Sequence, residues 1–197
     1  AWESDLEIID FDNLNHIVFA GMGGSGAIGE IFASILSKSK IHVSVINGYH
    51  LPSTVDSNTL VIPISVSGNT DETLTILESA NLLKCKIVAF TAGGQIQEYC
   101  EEKKIKFQQI SEDHSPRGSF VRYLYSILKI LQSTLKIKSS DVNQSIEILE
   151  NMKKNISSQN LTNSNSAISL AKWISGIPVI YYPWGLQSAA IRFKNSL

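Results

Sequence analysis

The chain has 197 residues, 43% of them hydrophobic, and a formal net charge of −1 at pH 7. That length holds one α/β domain of roughly 150 residues plus part of a second. The near-neutral charge excludes nucleic acid as the main partner, because gripping a phosphate backbone needs a basic surface. No apolar run approaches the roughly 20 residues that cross a bilayer, so no membrane partner is expected either.

Cys85 and Cys100 are the only cysteines and lack metal-ligand spacing. They read as reduced thiols of a cytoplasmic protein. No secretory signal is visible. The chain begins Ala1-Trp2-Glu3 without an initiator Met, so a tag, cleavage or truncation is expected to precede it.

In chain order, short continuous runs rich in Val and Ile predict strands near 16–20, 42–46, 60–65, 86–90 and 105–109. Helical periodicity predicts helices near 24–37, 70–84, 95–103, 119–135, 141–155 and 164–175. Pro63 counts against a central strand at 60–65, since it removes one ladder donor. Thr70 ahead of Asp71 and Glu72 predicts an N-cap followed by an acidic first turn. Continuous apolar strands alternating with helices are the pattern of a parallel sheet covered on both faces. The expected fold class is therefore α/β, a doubly wound five-stranded parallel sheet in the flavodoxin-like order 2-1-3-4-5.

The polar stretch 157–166 is the most linker-like segment. Beyond it Pro178-Val179-Ile180-Tyr181-Tyr182 predicts a strand, and Pro183-Trp184-Gly185 a turn into a helix from about 186. Trp184 is expected at the edge of a new core. The expected division is 1–156, a first domain with trailing helices, and 157–197, a linker helix with the first strand and helix of a second unit. A lone strand and helix cannot bury both faces. The chain is therefore expected to be a fragment, or to be completed by a partner over apolar surface around Ile180, Tyr182 and Trp184.

Two loops carry the chemistry. Gly21-Met22-Gly23-Gly24-Ser25-Gly26 follows the first strand, and Ser65-Val66-Ser67-Gly68-Asn69-Thr70 follows the third. In a 2-1-3-4-5 sheet the switch point lies between strands 1 and 3, so both loops should meet in the ligand crevice. Helix N-termini favour anions, and Ser25, Ser65, Ser67 and Thr70 add neutral donors. A phosphate monoester of about −1.5 to −2 charges would need no lysine there.

The plainer readings are a Ser-rich turn for the second loop and a dinucleotide fingerprint for the first. The fingerprint wants an acid at the end of the next strand, where Val45-Ile46-Asn47-Gly48 has none. Gly26 is followed by Ala27, which rules out a Walker A loop. Ser115-Pro116-Arg117-Gly118 marks a helix boundary at the same edge, with Arg117 either a solvated arginine or a fixed charge facing a substrate oxyanion. His16, His42, His50 and His114 show no metal-ligand spacing.

These residues resemble the sugar isomerase (SIS) domain family, in particular its bifunctional phosphoglucose/phosphomannose isomerase branch. The matching segments are Gly21 to Gly26, Ser65 to Thr70 with Glu72-Thr73, and Pro116-Arg117. Gly185 to Leu197 looks like the opening of that branch's second SIS unit. The resemblance implies that Ser25, Ser65, Ser67 and Thr70 hold a substrate phosphate, with Gly24 contributing backbone. It implies that Arg117 stabilises a cis-enediolate during interconversion of glucose 6-phosphate, and mannose 6-phosphate, with fructose 6-phosphate. The general-base glutamate is expected beyond Leu197, just after the helix that begins at Leu186; Glu72 does not match it by motif. No cofactor and no metal are implied; the partners implied are a small-molecule sugar phosphate and a second copy in a homodimer. Two other readings stand beside this one: a non-catalytic sugar-phosphate-sensing SIS regulatory module, and a nucleotide-binding oxidoreductase domain.

Overall fold

The computed structural model describes residues 6–115, 118–183 and 185–194. They fall into two compact units: one runs to Leu135 and resumes at Tyr182, the other is Lys136–Tyr181.

The first unit is built on five strands, β1 (His16–Ala20), β2 (His42–Ile46), β3 (Thr59–Ser65), β4 (Lys86–Thr91) and β5 (Lys106–Gln109). All pairings are parallel and the order is β2-β1-β3-β4-β5. The helices are α1 (Gly23–Ile35), α2 (Asp71–Leu82), α3 (Gly94–Lys103) and α4 (Phe120–Ile130). This is the α/β sheet that the strand pattern predicts, with each crossover carried by a helix or a long loop.

Alternation along the strands sorts the core into two layers. Val18, Ala20, Val61 and Ala89 join Ile76, Leu77 and Ala80 of α2 and Ile96 and Cys100 of α3. Phe19 faces the other way and stacks on Phe32 of α1 at 4.9 Å between ring centroids. Burial on α3 pushes the Cys100 thiol up to about 11, so it stays protonated at neutral pH.

Pro63 lies inside the central strand, opposite Ala20 of β1. The ladder to β4 runs from Leu60 to Val61 and resumes at Ile64, skipping the stretch that holds the missing donor. Full burial of all seven β3 residues outweighs that interruption.

At the opposite edge His16 is 4% exposed at the start of β1. Burial and the neighbouring His42 push its pKa down, against a hydrogen bond with the Thr54 backbone and the charge of Asp56.

A last helix, α7 by chain order (Gln187–Lys194), lies on α1, where the Ser34 and Ser188 hydroxyls meet at 3.2 Å. The Arg192 guanidinium sits 4.5 Å from the Phe120 ring centroid at the start of α4.

The second unit contains α5 (Ser139–Ile156) and α6 (Ser166–Trp173). Asn165 caps α6: its side-chain oxygen accepts from the Ala167 and Ile168 amides at 3.0 and 3.2 Å. The strand expected at 178–182 does not form. Val179 and Tyr181 are 72% and 90% exposed, and among the described residues no strand pairs with them, so the β-branched pattern finds no ladder. Trp184 lies outside the described residues.

Candidate functional site

The two glycine and serine loops open at the same edge of the sheet, after the adjacent strands β1 and β3. Gly21 lies close against the end of β3. A Cβ there would lie 2.8 Å from the Ile64 carbonyl oxygen and 2.9 Å from the Ser25 Cβ. Only a residue without a side chain lets the first loop pass so near the end of β3.

The second loop is tied to itself. The Ser65 hydroxyl, 2% exposed, lies 2.9 Å from the Thr70 hydroxyl and accepts from the Gly68 amide at 3.1 Å. The Ser67 hydroxyl accepts from the Asn69 amide at 3.3 Å and is itself exposed. Thr70 stands at the N-cap position of α2, as expected, with Asp71 and Glu72 in the first turn. Its side chain makes no capping bond, because it is turned back to Ser65.

The same loop is also bolted to the next one. The Ala92 amide donates to the Val66 carbonyl at 3.2 Å, and the Ile96 amide to the Gly68 carbonyl at 3.0 Å. The Asn69 side chain accepts from the Gln95 amide at 3.1 Å, at the start of α3. Gly68 has φ +69, and a Cβ on it would lie 1.7 Å from the Gly93 carbonyl oxygen. The buried Thr91 hydroxyl donates to that same carbonyl at 2.7 Å. Asn69, Thr91 and Gly93 thus shape the loop; Asn69 lies in the motif with no role assigned from sequence, and Thr91 and Gly93 lie outside it. The Gly93-Gly94 pair directly after an apolar strand is the turn signal that points to them.

The first loop is open by contrast. Gly23 and Gly24 start α1, and a Cβ on either would meet nothing within 4 Å. Their amides belong to the first turn, which has no intrahelical acceptor. Ser25 is half-buried, and its hydroxyl has no hydrogen-bond partner among the described residues. Asn47, just past β2, lies against the loop: its Oδ1 sits 2.1 Å from where a Gly26 Cβ would be. The third glycine of the G-x-G-x-x-G pattern is therefore explained by packing at the end of β2, where a ribose-binding acid is absent.

Two more features frame the rim. Tyr49, on the loop after β2, has its hydroxyl pKa pushed up, chiefly by the charge of the Glu72 carboxylate in the first turn of α2. The segment before α4 is pinned on both sides of residues 116–117. Arg122 Nε donates to Asp113 at 2.6 Å, the Gly118 amide donates to the Ser115 hydroxyl at 3.1 Å, and the Ser119 hydroxyl donates to the Ser115 carbonyl at 2.9 Å. Arg117 and Pro116 themselves lie outside the described residues.

The arrangement is two loops, two helix N-termini and a set of neutral hydroxyls at the switch point of a parallel sheet. That is chemistry for a multiply charged anion rather than for a metal. A model of the SIS domain matches residues 11–135. The chain belongs to the SIS domain family.

A bifunctional phosphoglucose/phosphomannose isomerase from Thermoplasma acidophilum is 35% identical over 92% of this chain and 54% of its own length. One of the same name from Aquifex aeolicus is 32% identical over 100% of this chain and 58% of its own. The chain thus spans about half the length of the curated relatives it matches. Among solved structures, the tagatose-6-phosphate ketose/aldose isomerase of Escherichia coli superposes with a TM-score of 0.57. It covers 91% of this chain and 51% of that one at 19% identity, a likeness of fold.

Proposed function

We propose that this chain holds the phosphate of a sugar phosphate for an aldose–ketose isomerase. The reaction would interconvert glucose 6-phosphate, and mannose 6-phosphate, with fructose 6-phosphate. The observation that carries this reading is the pairing of a prebuilt hydroxyl loop, Ser65 to Thr70, with the open first turn of α1 across the β1/β3 switch point. Isomerase names on relatives of about one-third identity support the reaction class.

In this reading Ser65, Ser67 and Thr70 bind phosphate oxygens from one side. Ser25 and the Gly24 amide bind from the other. The phosphate is remote from the carbons that react, so its binding energy serves to orient the sugar. Moving a proton between adjacent carbons needs a base and an electrophile for the enediolate oxygen. Arg117 is proposed as that electrophile, since it follows β5 in the chain and the SIS resemblance gives it that role. No residue of this chain is assigned as the base. A second copy of the chain is the proposed partner, in a homodimer.

Fructose 6-phosphate should raise the melting temperature of the chain, and fructose should not. Equal shifts with the two would remove the phosphate from the recognition. In the full-length protein, Arg117→Lys keeps the charge and loses the planar fork. We expect kcat to fall by a larger factor than KM rises. Normal kcat with a raised KM would make Arg117 a ground-state contact.

A further inference from the structure

We propose that His16 and His42, with Ser44 between them, form a binding site for a divalent transition-metal ion of the imidazole-preferring kind. The site lies at the amino-terminal edge of the sheet, opposite the phosphate loops and independent of how those are read.

Parallel pairing sets His16 directly across from His42, although they are 26 positions apart in sequence. Ser44 is two residues along β2 and so lies on the same face as His42. The result is convergence. His16 Nε2 lies 2.9 Å from the Ser44 hydroxyl oxygen, and His42 Nε2 lies 3.3 Å from the same atom. The ring centroids are 4.6 Å apart. Both Nε2 atoms reach the one hydroxyl, and an ion that displaces it or seats beside it would meet the imidazole pair that Cu2+, Zn2+ and Ni2+ prefer.

The site is also built rather than incidental. His16 is 4% exposed, so its ring is held by the fold. His42 is exposed and provides the way in. Among the described residues no group of three His, Cys, Asp or Glu side chains converges. The proposed site therefore offers two imidazoles and one hydroxyl oxygen, with water completing the shell. An open shell of that kind binds most tightly the ion at the top of the divalent affinity series, which is Cu2+.

An ion there would join β1 to the edge strand β2. Binding to the folded state alone would raise its apparent stability. The test is calorimetric titration of CuCl2, and separately ZnCl2, into the untagged chain in a non-coordinating buffer near neutral pH. We expect one ion per chain, tighter for Cu2+, with a rise in melting temperature. His42→Ala should weaken binding at least tenfold while changing the metal-free melt little, because His42 is exposed at the start of β2. Ser44→Ala keeps both imidazoles and should retain binding within a few-fold. Electron paramagnetic resonance of the Cu2+ complex should show two coordinated nitrogens, falling to one in His42→Ala. No heat of binding, unchanged affinity in His42→Ala, or loss in His50→Ala or His114→Ala instead would overturn the assignment.

Discussion

The loop after β3 and the loop after β1 look alike in sequence, and the fold uses them differently. The first is closed on itself. Ser65 serves both Thr70 and the Gly68 amide, and three hydrogen bonds fasten the loop to the β4–α3 turn. The second is left open: its first-turn glycines face free space and Ser25 has no partner among the described residues. One loop is a rigid platform whose donors are set in advance, so little ordering is left for binding. The other is a wall whose amides are free to meet a ligand. Substitutions at the tied residues of the platform should therefore register in stability, and those at its exposed Ser67 and in the wall in affinity.

The largest effect should come from Gly68→Ala. Its Cβ would fall 1.7 Å from the Gly93 carbonyl oxygen, at φ +69 where an L-residue is strained. Overpacking of about 1–3 kcal/mol and a left-handed penalty of about 1–2 act together. We expect roughly 2–5 kcal/mol of lost stability by chemical denaturation, or failure to fold. A near wild-type midpoint would mean that the platform is not bolted to the β4–α3 turn.

Ser65→Ala should come next. It removes the partner of a buried amide, which costs about 1–3 kcal/mol of stability, and it frees the Thr70 hydroxyl. Ser67→Ala sharpens the contrast inside the same loop. Ser67 is exposed, so stability should move by no more than about 0.5 kcal/mol. Affinity for fructose 6-phosphate should fall by about 0.5–1.5 kcal/mol, or up to about 3 if the bond is charge-assisted. Melts and titrations on both variants decide it. If Ser65→Ala spares stability and Ser67→Ala lowers it, the platform has been assigned to the wrong serine.

Much of this was legible in residues alone. The five strands were readable because each is a short apolar run, and a parallel strand buried on both faces needs no alternation. The serines and glycines were readable because their loops follow those strands. The bolt at Gly93 and Thr91 was not. It depends on the register of β3 against β4, which brings together loops some 25 residues apart. The His16–His42 contact was hidden for the same reason. At 178–182 the residue types favoured a strand, yet a strand needs an edge to pair with, and local composition cannot supply one. The N-cap at Thr70 was right in position, but its hydroxyl found a stronger claim in Ser65.

The one change that should cost no stability, and the most telling, is Gly24→Ala. Gly24 sits in the first turn of α1, where a methyl group would touch nothing within 4 Å. Alanine lowers the conformational entropy of the unfolded chain, so in a compatible helical position it stabilises by about 0.5–1 kcal/mol. In the ligand-free protein the variant should therefore melt at the same temperature or slightly higher. If the phosphate comes down onto the α1 amides, the same methyl stands in its way. Affinity for fructose 6-phosphate should then drop at least about tenfold, or about 1.4 kcal/mol. Stability and binding would move in opposite directions at a single residue, which neither misfolding nor a generally weakened loop could produce. Should Gly24→Ala bind as well as wild type, the space over α1 would not be the phosphate's, and the hydroxyl platform would have to hold the anion alone.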